Sequence, residues 1–301
     1  MRLLFVSNLF PDAEDPVRGL DNACLLHQLR EHIEEIRVIA IRPELGRRRD
    51  YRPRPEDSAL TPVYCSTGYF PKVGSRWNHK IMARALGKTM SRVRDEFAFD
   101  LVLGSWLYPD GCALARLSRQ LDFRYWLICQ GSDAHAYLGM PIRRRLIVEA
   151  AESSDGVITR SADLARRLAE AGVAEKKLHP VYNGVDTGVF RPSTDPQQAQ
   201  RALGLCPDAD YLLFVGNFLP VKNPMLLLDA WQMAREKLAG RDLRLIMIGT
   251  GPMETAVKAR AAALGVEEAL LLPGRLPSSA VADYLRVARC LVLSSHNEGV
   301  P

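Results

Sequence analysis

Short apolar runs alternate along the whole chain with stretches in which apolar positions recur every three or four residues. In the first part the runs fall at residues 3–7, 36–41, 101–104, 126–129, 156–159 and 178–182. Runs this short and continuously apolar predict strands buried on both faces, and the helical spacing between them predicts crossover helices. Examples of that spacing are residues 20–32, 109–120 and 162–171. Further on, strands are predicted at 211–215, 243–248, 270–272 and 290–294, with helices at 224–238, 253–264 and 279–288. The class predicted is α/β, built from doubly wound parallel sheets.

The segment NGVDTGVFRPSTDP, rich in Gly, Pro, Asp and Thr, reads as a turn-laden linker. It divides the chain near Asp186 into an N-terminal Rossmann-like domain, 1–185, and a C-terminal domain, 186–301. Residues 42–62, rich in Pro and Arg, read as a surface loop. The second domain shows four strand patterns where a doubly wound nucleotide-binding unit commonly has about six. The chain reaches Pro301 directly after a strand pattern. The expectation is therefore an incomplete domain, with a compact four-stranded domain as the alternative.

Composition narrows the class. No apolar run approaches the roughly 18 residues that a membrane span needs. MRLLFVSNLF is too short and too polar for a signal peptide and reads as a first strand. The six cysteines form no Cys-x-x-Cys pair, which argues for reduced thiols in a cytoplasmic protein without a zinc site. Cys129 and Cys290 fall inside apolar runs and are expected in the core.

The net charge of +5 is unevenly placed: residues 1–185 hold 28 Lys and Arg against 23 Asp and Glu, whereas 186–301 hold 12 of each. Residues 47–94 alone carry 12 basic residues against three acids. Arg76, Lys80, Arg84, Lys88 and Arg92 recur every fourth position behind Trp77, with Ile81, Leu86, Met90 and Val93 on the other side. Such a helix suits the anionic inner face of a cell membrane, or is the solvated face of a packed helix. The segment lacks the interleaved aromatics of a nucleic-acid binder, and no nucleic-acid partner is expected.

Three motifs carry chemistry. Gly249-Thr250-Gly251-Pro252 lies between a predicted strand and a predicted helix, where glycines admit a ligand to the backbone and the helix N-terminus attracts phosphate. Glu254 stands where a dinucleotide fingerprint needs its third Gly, which counts against NAD. Gly216 and Asn217 follow the strand at 211–215, and Lys222 stands just before the next helix, as suits a diphosphate. Ser294-Ser295-His296-Asn297-Glu298 then brings an acidic residue to the same sheet edge.

In this order VYNGVD, FVGNFLPVKN, MIGTGP, LPGRLP and SSHNEGVP resemble glycosyltransferase family 4, retaining enzymes of the GT-B architecture. The resemblance spans essentially the whole chain. It implies two Rossmann-like domains facing a cleft, and sugar transfer from a nucleotide-diphosphate sugar to a glycan or lipid-linked acceptor. No further cofactor and no obligatory metal are implied. Lys222 would neutralise the diphosphate with N–H groups near Gly216, Gly249 and Gly251, Glu298 would contact the donor sugar, and Gly19 would bring a helix start to a phosphate. Asp133, closing Gln130-Gly131-Ser132-Asp133, joins Lys222 and Glu298 in the implied catalytic set. The chain departs from the pattern at Asn217, where an Arg is common, and at Gln130, where many members have His; His135 lies nearby. A second Glu of the last motif would fall eight positions beyond Glu298, past Pro301, so this fragment is expected to have little or no activity. Two other readings share these residues: a GT-B epimerase or phosphorylase, and an inactive nucleotide-sugar-binding fragment.

Overall fold

The computed structural model describes residues 1–44, 49–71 and 73–296; Arg47, Arg48, Lys72 and Glu298 lie outside them. The chain divides into two compact units, the first Met1–Asn183, the second beginning at Gly184.

The first unit contains β1 (Arg2–Ser7), α1 (Leu20–Leu29), β2 (Glu35–Glu44), β3 (Pro62–Gly68), α2 (Asn78–Glu96), β4 (Leu101–Ser105) and α3 (Cys112–Leu121). After these come β5 (Tyr125–Cys129), α4 (Ser132–His135), α5 (Pro141–Ser153), β6 (Gly156–Thr159), α6 (Ala162–Ala171) and β7 (Leu178–Pro180). The strands form one sheet in the order β3-β2-β1-β4-β5-β6-β7, and every pairing is parallel. Alternate residues of each strand face opposite sides. Leu4, Val6, Ile39 and Ile41 therefore pack with α2, α3, α5 and α6, through Met82, Leu114, Ile147 and Leu164 among others. Leu3, Phe5, Val38 and Ala40 face the other way, against Ala23 and Leu26 of α1. Local signals stop the helices where the packing needs it: the Ser161 side chain caps the start of α6, and Gly172, in the left-handed region at φ 113°, ends it.

The reading of residues 42–62 as a surface loop holds for the largely exposed residues 49–56 and fails at the two ends. β2 runs through Arg42 to Glu44, Leu60 is fully buried, and β3 begins at Pro62 and adds an unforeseen edge strand. The Arg42 guanidinium lies buried against the equally buried Asp12 carboxylate at 2.7 Å and donates to the Phe10 carbonyl at 2.7 Å. It also sits over the rings of Tyr51 and Tyr64, at 5.2 and 5.0 Å. Prolines and arginines mark a loop by composition; a partner distant in sequence made this arginine interior.

On α2 the two sides separate as expected. Met82, Leu86, Met90 and Val93 are buried, and Arg76, Lys80, Arg84, Lys88 and Arg92 are exposed. The apolar side is therefore fully engaged in the core. Among the described residues no helix is long and apolar enough to cross a membrane.

The second unit contains α7 (Pro196–Ala202), β8 (Asp210–Val215), α8 (Pro224–Lys237), β9 (Leu243–Ile248), α9 (Glu254–Leu264), β10 (Leu270–Gly274), α10 (Ser278–Val287) and β11 (Cys290–Leu291). Its four strands lie in the order β10-β9-β8-β11, again all parallel. Phe214, Leu245 and Met247 pack on Leu228 and Trp231 of α8 and Val257 of α9. Leu213, Ile246 and Ile248 face α10. Cys129 is buried as expected, but Cys290 is exposed, because the short strand that carries it forms the sheet edge.

The Asp12–Arg42 pair yields a stability prediction. Asp12→Ala leaves a guanidinium buried without its counter-charge, a change that costs about 3–5 kcal/mol. Chemical denaturation followed by circular dichroism should show that loss in the first unit; a change below about 1 kcal/mol would place the pair among surface contacts.

Candidate functional site

In an open parallel sheet, ligands sit at the carboxyl ends of the strands where the order reverses direction. In the second unit that point lies between β8 and β11. Residues 216–223 leave β8 there, and the chain leaving β11 crosses the same place. The Ser294 hydroxyl donates to the Lys222 carbonyl at 2.9 Å, and the His296 N–H donates to the Val221 carbonyl at 2.8 Å. Lys222 ends a 3-10 turn, Pro220–Lys222. Asn223 follows in the left-handed region at φ 46°, its side chain caps α8, and Pro224 opens that helix.

The glycines have a structural reason that the sequence reading did not supply. A Cβ on Gly249, at φ 139°, would collide with the Gly216 carbonyl, and one on Gly251 would collide with the Phe218 backbone. Both are needed because the two loops pack backbone against backbone, joined by Phe218 N–H to the Thr250 carbonyl at 3.0 Å. The Gly216 N–H already donates to Ile248 and the Gly249 N–H to Gly274, at 2.9 and 2.8 Å. These two N–H groups are therefore engaged within the protein, and the expected donors near the glycines fall to neighbouring N–H groups. Among the described residues the N–H groups of Thr250 and Gly251 make no hydrogen bond, and Asn217 is exposed beside them. The structure thus joins the loop at Asn217 to the loop at Gly251, and the segment at Ser294 and His296 to the Lys222 turn, all at one sheet edge; Glu298 lies outside the described residues.

In the first unit the order reverses between β1 and β4. Gly19, at φ 62°, precedes α1 at this edge, and a Cβ there would collide with the Leu9 carbonyl. Its glycine is thus required by a close approach of the chain to itself. Asp133 is corrected from a catalytic to a positioning residue. Its carboxylate is fully buried and accepts from the N–H groups of Leu107, Gln130 and Gly131 at 2.9, 3.1 and 2.8 Å. It clamps the ends of β4 and β5 and has no surface to offer a substrate. Burial pushes its pKa up, against the pull of those backbone donors.

Gln130, in the place where the family often has His, donates through Nε2 to Asn22 at 2.8 Å and to Ser105 at 2.7 Å. His135 on α4 leaves its Nε2 enclosed without a partner. Sequence reading missed Asn22, Ser105 and Asp110. Asp110 is fully buried and accepts from the Asn8 N–H at 2.6 Å and from the Asn8 side-chain amide at 2.9 Å. No local motif marks these residues, because their partners lie 25 to 108 positions away.

Two doubly wound α/β units with loops converging at their switch points define a class of nucleotide-binding folds. Comparison with known proteins narrows it. Residues 25–189 match the family described as Glycosyltransferase Family 4, and residues 196–301 match Glycosyl transferases group 1. The chain belongs to glycosyltransferase family 4, with the GT-B fold of two Rossmann-like units. A D-inositol 3-phosphate glycosyltransferase from Acidothermus cellulolyticus is 32% identical over 168 residues, which cover 52% of this chain and 37% of the relative. The match thus spans little more than a third of that relative's own length. Among solved structures, Anabaena HepE in complex with UDP and glucose is similar with a TM-score of 0.68, 16% identity and coverage of 98% of this chain and 74% of that one. Sucrose-phosphate synthase from Thermosynechococcus elongatus is similar with a TM-score of 0.69, 15% identity, and coverage of 100% and 77%.

Asp110 gives this edge a pH signature. Burial raises its pKa to about 7, and the Asn8 hydrogen bonds only partly oppose that. Between the unfolded value near 3.8 and about 7 the folded protein retains a proton that the unfolded chain has released. Stability therefore falls as pH rises through that window and stays lower above it. Thermal melts of wild type and Asp110→Asn from pH 4 to 8 should show the wild type losing ground to the variant across the window and then running parallel. Parallel curves at every pH would mean that the carboxyl is ionised throughout.

Proposed function

We propose that this protein is a nucleotide-sugar-dependent glycosyltransferase that transfers a hexosyl group with retention to a glycan or lipid-linked acceptor. In this reading the second unit holds the donor and the first recognises the acceptor. The observation that carries it is the convergence at one sheet edge of the Lys222 turn, the Thr250 and Gly251 N–H groups and the chain at Ser294 and His296. The fold shared with HepE, solved with UDP and glucose, supports the donor class.

The chemistry follows from charge. As the glycosidic bond to the nucleotide breaks, negative charge grows on the departing diphosphate, and fixed donors aimed at that charge lower the barrier. Lys222 is the cation assigned to it, with the loop N–H groups as neutral donors. Because a lysine takes this role, no obligatory metal is invoked. With Asn217 in place of an Arg, Lys222 carries more of the neutralisation alone. Glu298 is assigned to the donor sugar. Asp133 contributes by holding the Gln130 turn in place.

A second reading concerns location, at the cytoplasmic face of the membrane. Phe70, Val73 and Trp77 are 46, 73 and 55% exposed just before or at the start of α2, whose basic side chains are also exposed. The apolar side of α2 is buried in the core, so the contact would be electrostatic with an aromatic anchor rather than an inserted helix.

Lys222→Ala should weaken binding of the nucleotide-sugar donor by about 1.5–3 kcal/mol, the scale of a charged hydrogen bond. The thermal midpoint without donor should stay close to wild type, and unaltered donor affinity in a calorimetric titration would sink the assignment. For the membrane reading, vesicles containing anionic lipid should retain the protein at low salt and release it at high salt. Replacing Arg76, Lys80 and Arg84 with Gln should abolish retention. Equal partition onto neutral and anionic vesicles would leave these charges as a solvated face.

A further inference from the structure

In the first unit a concavity of about 250 Å³ opens where α3 packs against both α2 and α5. Cys112, Ala115, Arg116 and Arg119 form one stripe of α3 along it, at spacings of three and four residues. Cys112 and Ala115 are buried, as is Ala150 on the α5 side, and their short side chains leave the space unfilled. Longer side chains normally close such a junction between helices, so the groups that line this one matter.

Those groups favour an anion. Arg116 and Arg119 are exposed, and among the described residues their guanidinium groups make neither a hydrogen bond nor an ion pair. Glu149 of α5 also lines the space, but Arg145 already stands 3.4 Å from its carboxylate. The charge left over is therefore positive. His79, at the start of α2, closes the third side and is only 7% exposed. Its Nδ1 is enclosed without a partner, and its Nε2 makes no hydrogen bond either but is not enclosed. Burial, with Lys80 and Arg116 adding to it, pushes the His79 pKa down to about 4. The ring is thus neutral at pH 7, and a ligand hydroxyl can donate to it or accept from it. A nearly buried ring with no hydrogen bond leaves a cost that such a ligand would offset.

We propose that this concavity is a binding site for a small hydroxylated organic anion, either a phosphate monoester or a polycarboxylate. Arg116 and Arg119, one turn apart, hold the oxyanion, and His79 meets a hydroxyl group. The site is separate from the strand ends. α3 starts beside them at Cys112, and the stripe leads away from them to Arg119 in the last turn of the helix. The ligand is therefore distinct from the sugar donor, and its binding should stabilise the junction of the three helices. Nothing in this assignment depends on the transferase reading.

The test titrates the 301-residue chain by calorimetry at constant ionic strength. The probes are a glycerol monophosphate, citrate, and glycerol as the neutral control. Wild type should bind at least one of the two anions and not glycerol; the one it binds identifies the head group. Arg116→Gln and Arg119→Gln should each lose about tenfold of that affinity, and Arg119→Lys should retain part of it. Both arginines are exposed, so thermal midpoints of these variants without ligand should match wild type. His79→Leu should weaken binding while its midpoint without ligand holds or rises, because an unsatisfied nitrogen is removed. Ala115→Leu fills the space with every charge in place and should abolish binding; if it fails to fold, the arginine variants decide. Saturating UDP should leave the anion affinity unchanged. Absence of anion binding in wild type, or unaltered binding in both arginine variants, overturns the proposal. So does displacement by UDP, which would place the anion at the donor site. Glycerol bound as tightly as the anions would overturn it too, since charge would then play no part.

Discussion

Every strand pairing among the described residues is parallel. Parallel strands need a crossover to return, so each strand in a unit ends on the same edge of its sheet. That constraint places everything else. Both faces must be covered by helices, which is why alternate residues of β1 serve two separate cores. The polar residues that follow the strands have nowhere to gather except along one edge. Asn8, Ser105, Gln130 and Arg160 follow or close β1, β4, β5 and β6, and Gly216 and Gly249 follow β8 and β9.

Once gathered, these groups are held by electrostatics under enclosure. Buried charge is tolerated where hydrogen bonds or a counter-ion replace water. Asp133 meets that condition with three backbone donors, and Arg42 with Asp12. Asp110 meets it in part, through Asn8, and retains a raised pKa as the residual cost. Arg160 has no such partner for its Nε among the described residues. These four buried groups therefore form a series from fully paired to unpaired.

The glycines show how one residue type serves both packing and chemistry. Gly249 and Gly251 let two loops of the second unit touch along their backbones, and this contact sets the position of the loop that carries Lys222. The motif was legible as a sequence of residues. Its reason was not, since a glycine that admits a ligand and one that admits another loop look the same in one dimension. Asp133 is a similar case: the stretch that holds it was recognised, and only its enclosure separates a clamp from a reacting group.

The period of the apolar pattern by itself determined ten of the eleven strands among the described residues, the helices joining most of them and the α/β class, because local burial on two faces leaves a local signature. The ordered motifs likewise identified the family and pointed to Lys222, Gly216 and Gly251. Tertiary structure alone decided what long-range partners decide. It buried the strand end at Arg42, which finds Asp12 thirty positions away, and added a turn at Pro55–Leu60 and an edge strand from Pro62. It joined Asn22, Ser105 and Gln130 from three separate elements. It also enclosed the Arg160 Nε without a partner, a condition that depends on what every neighbouring element leaves unoffered and so has no signature along the chain.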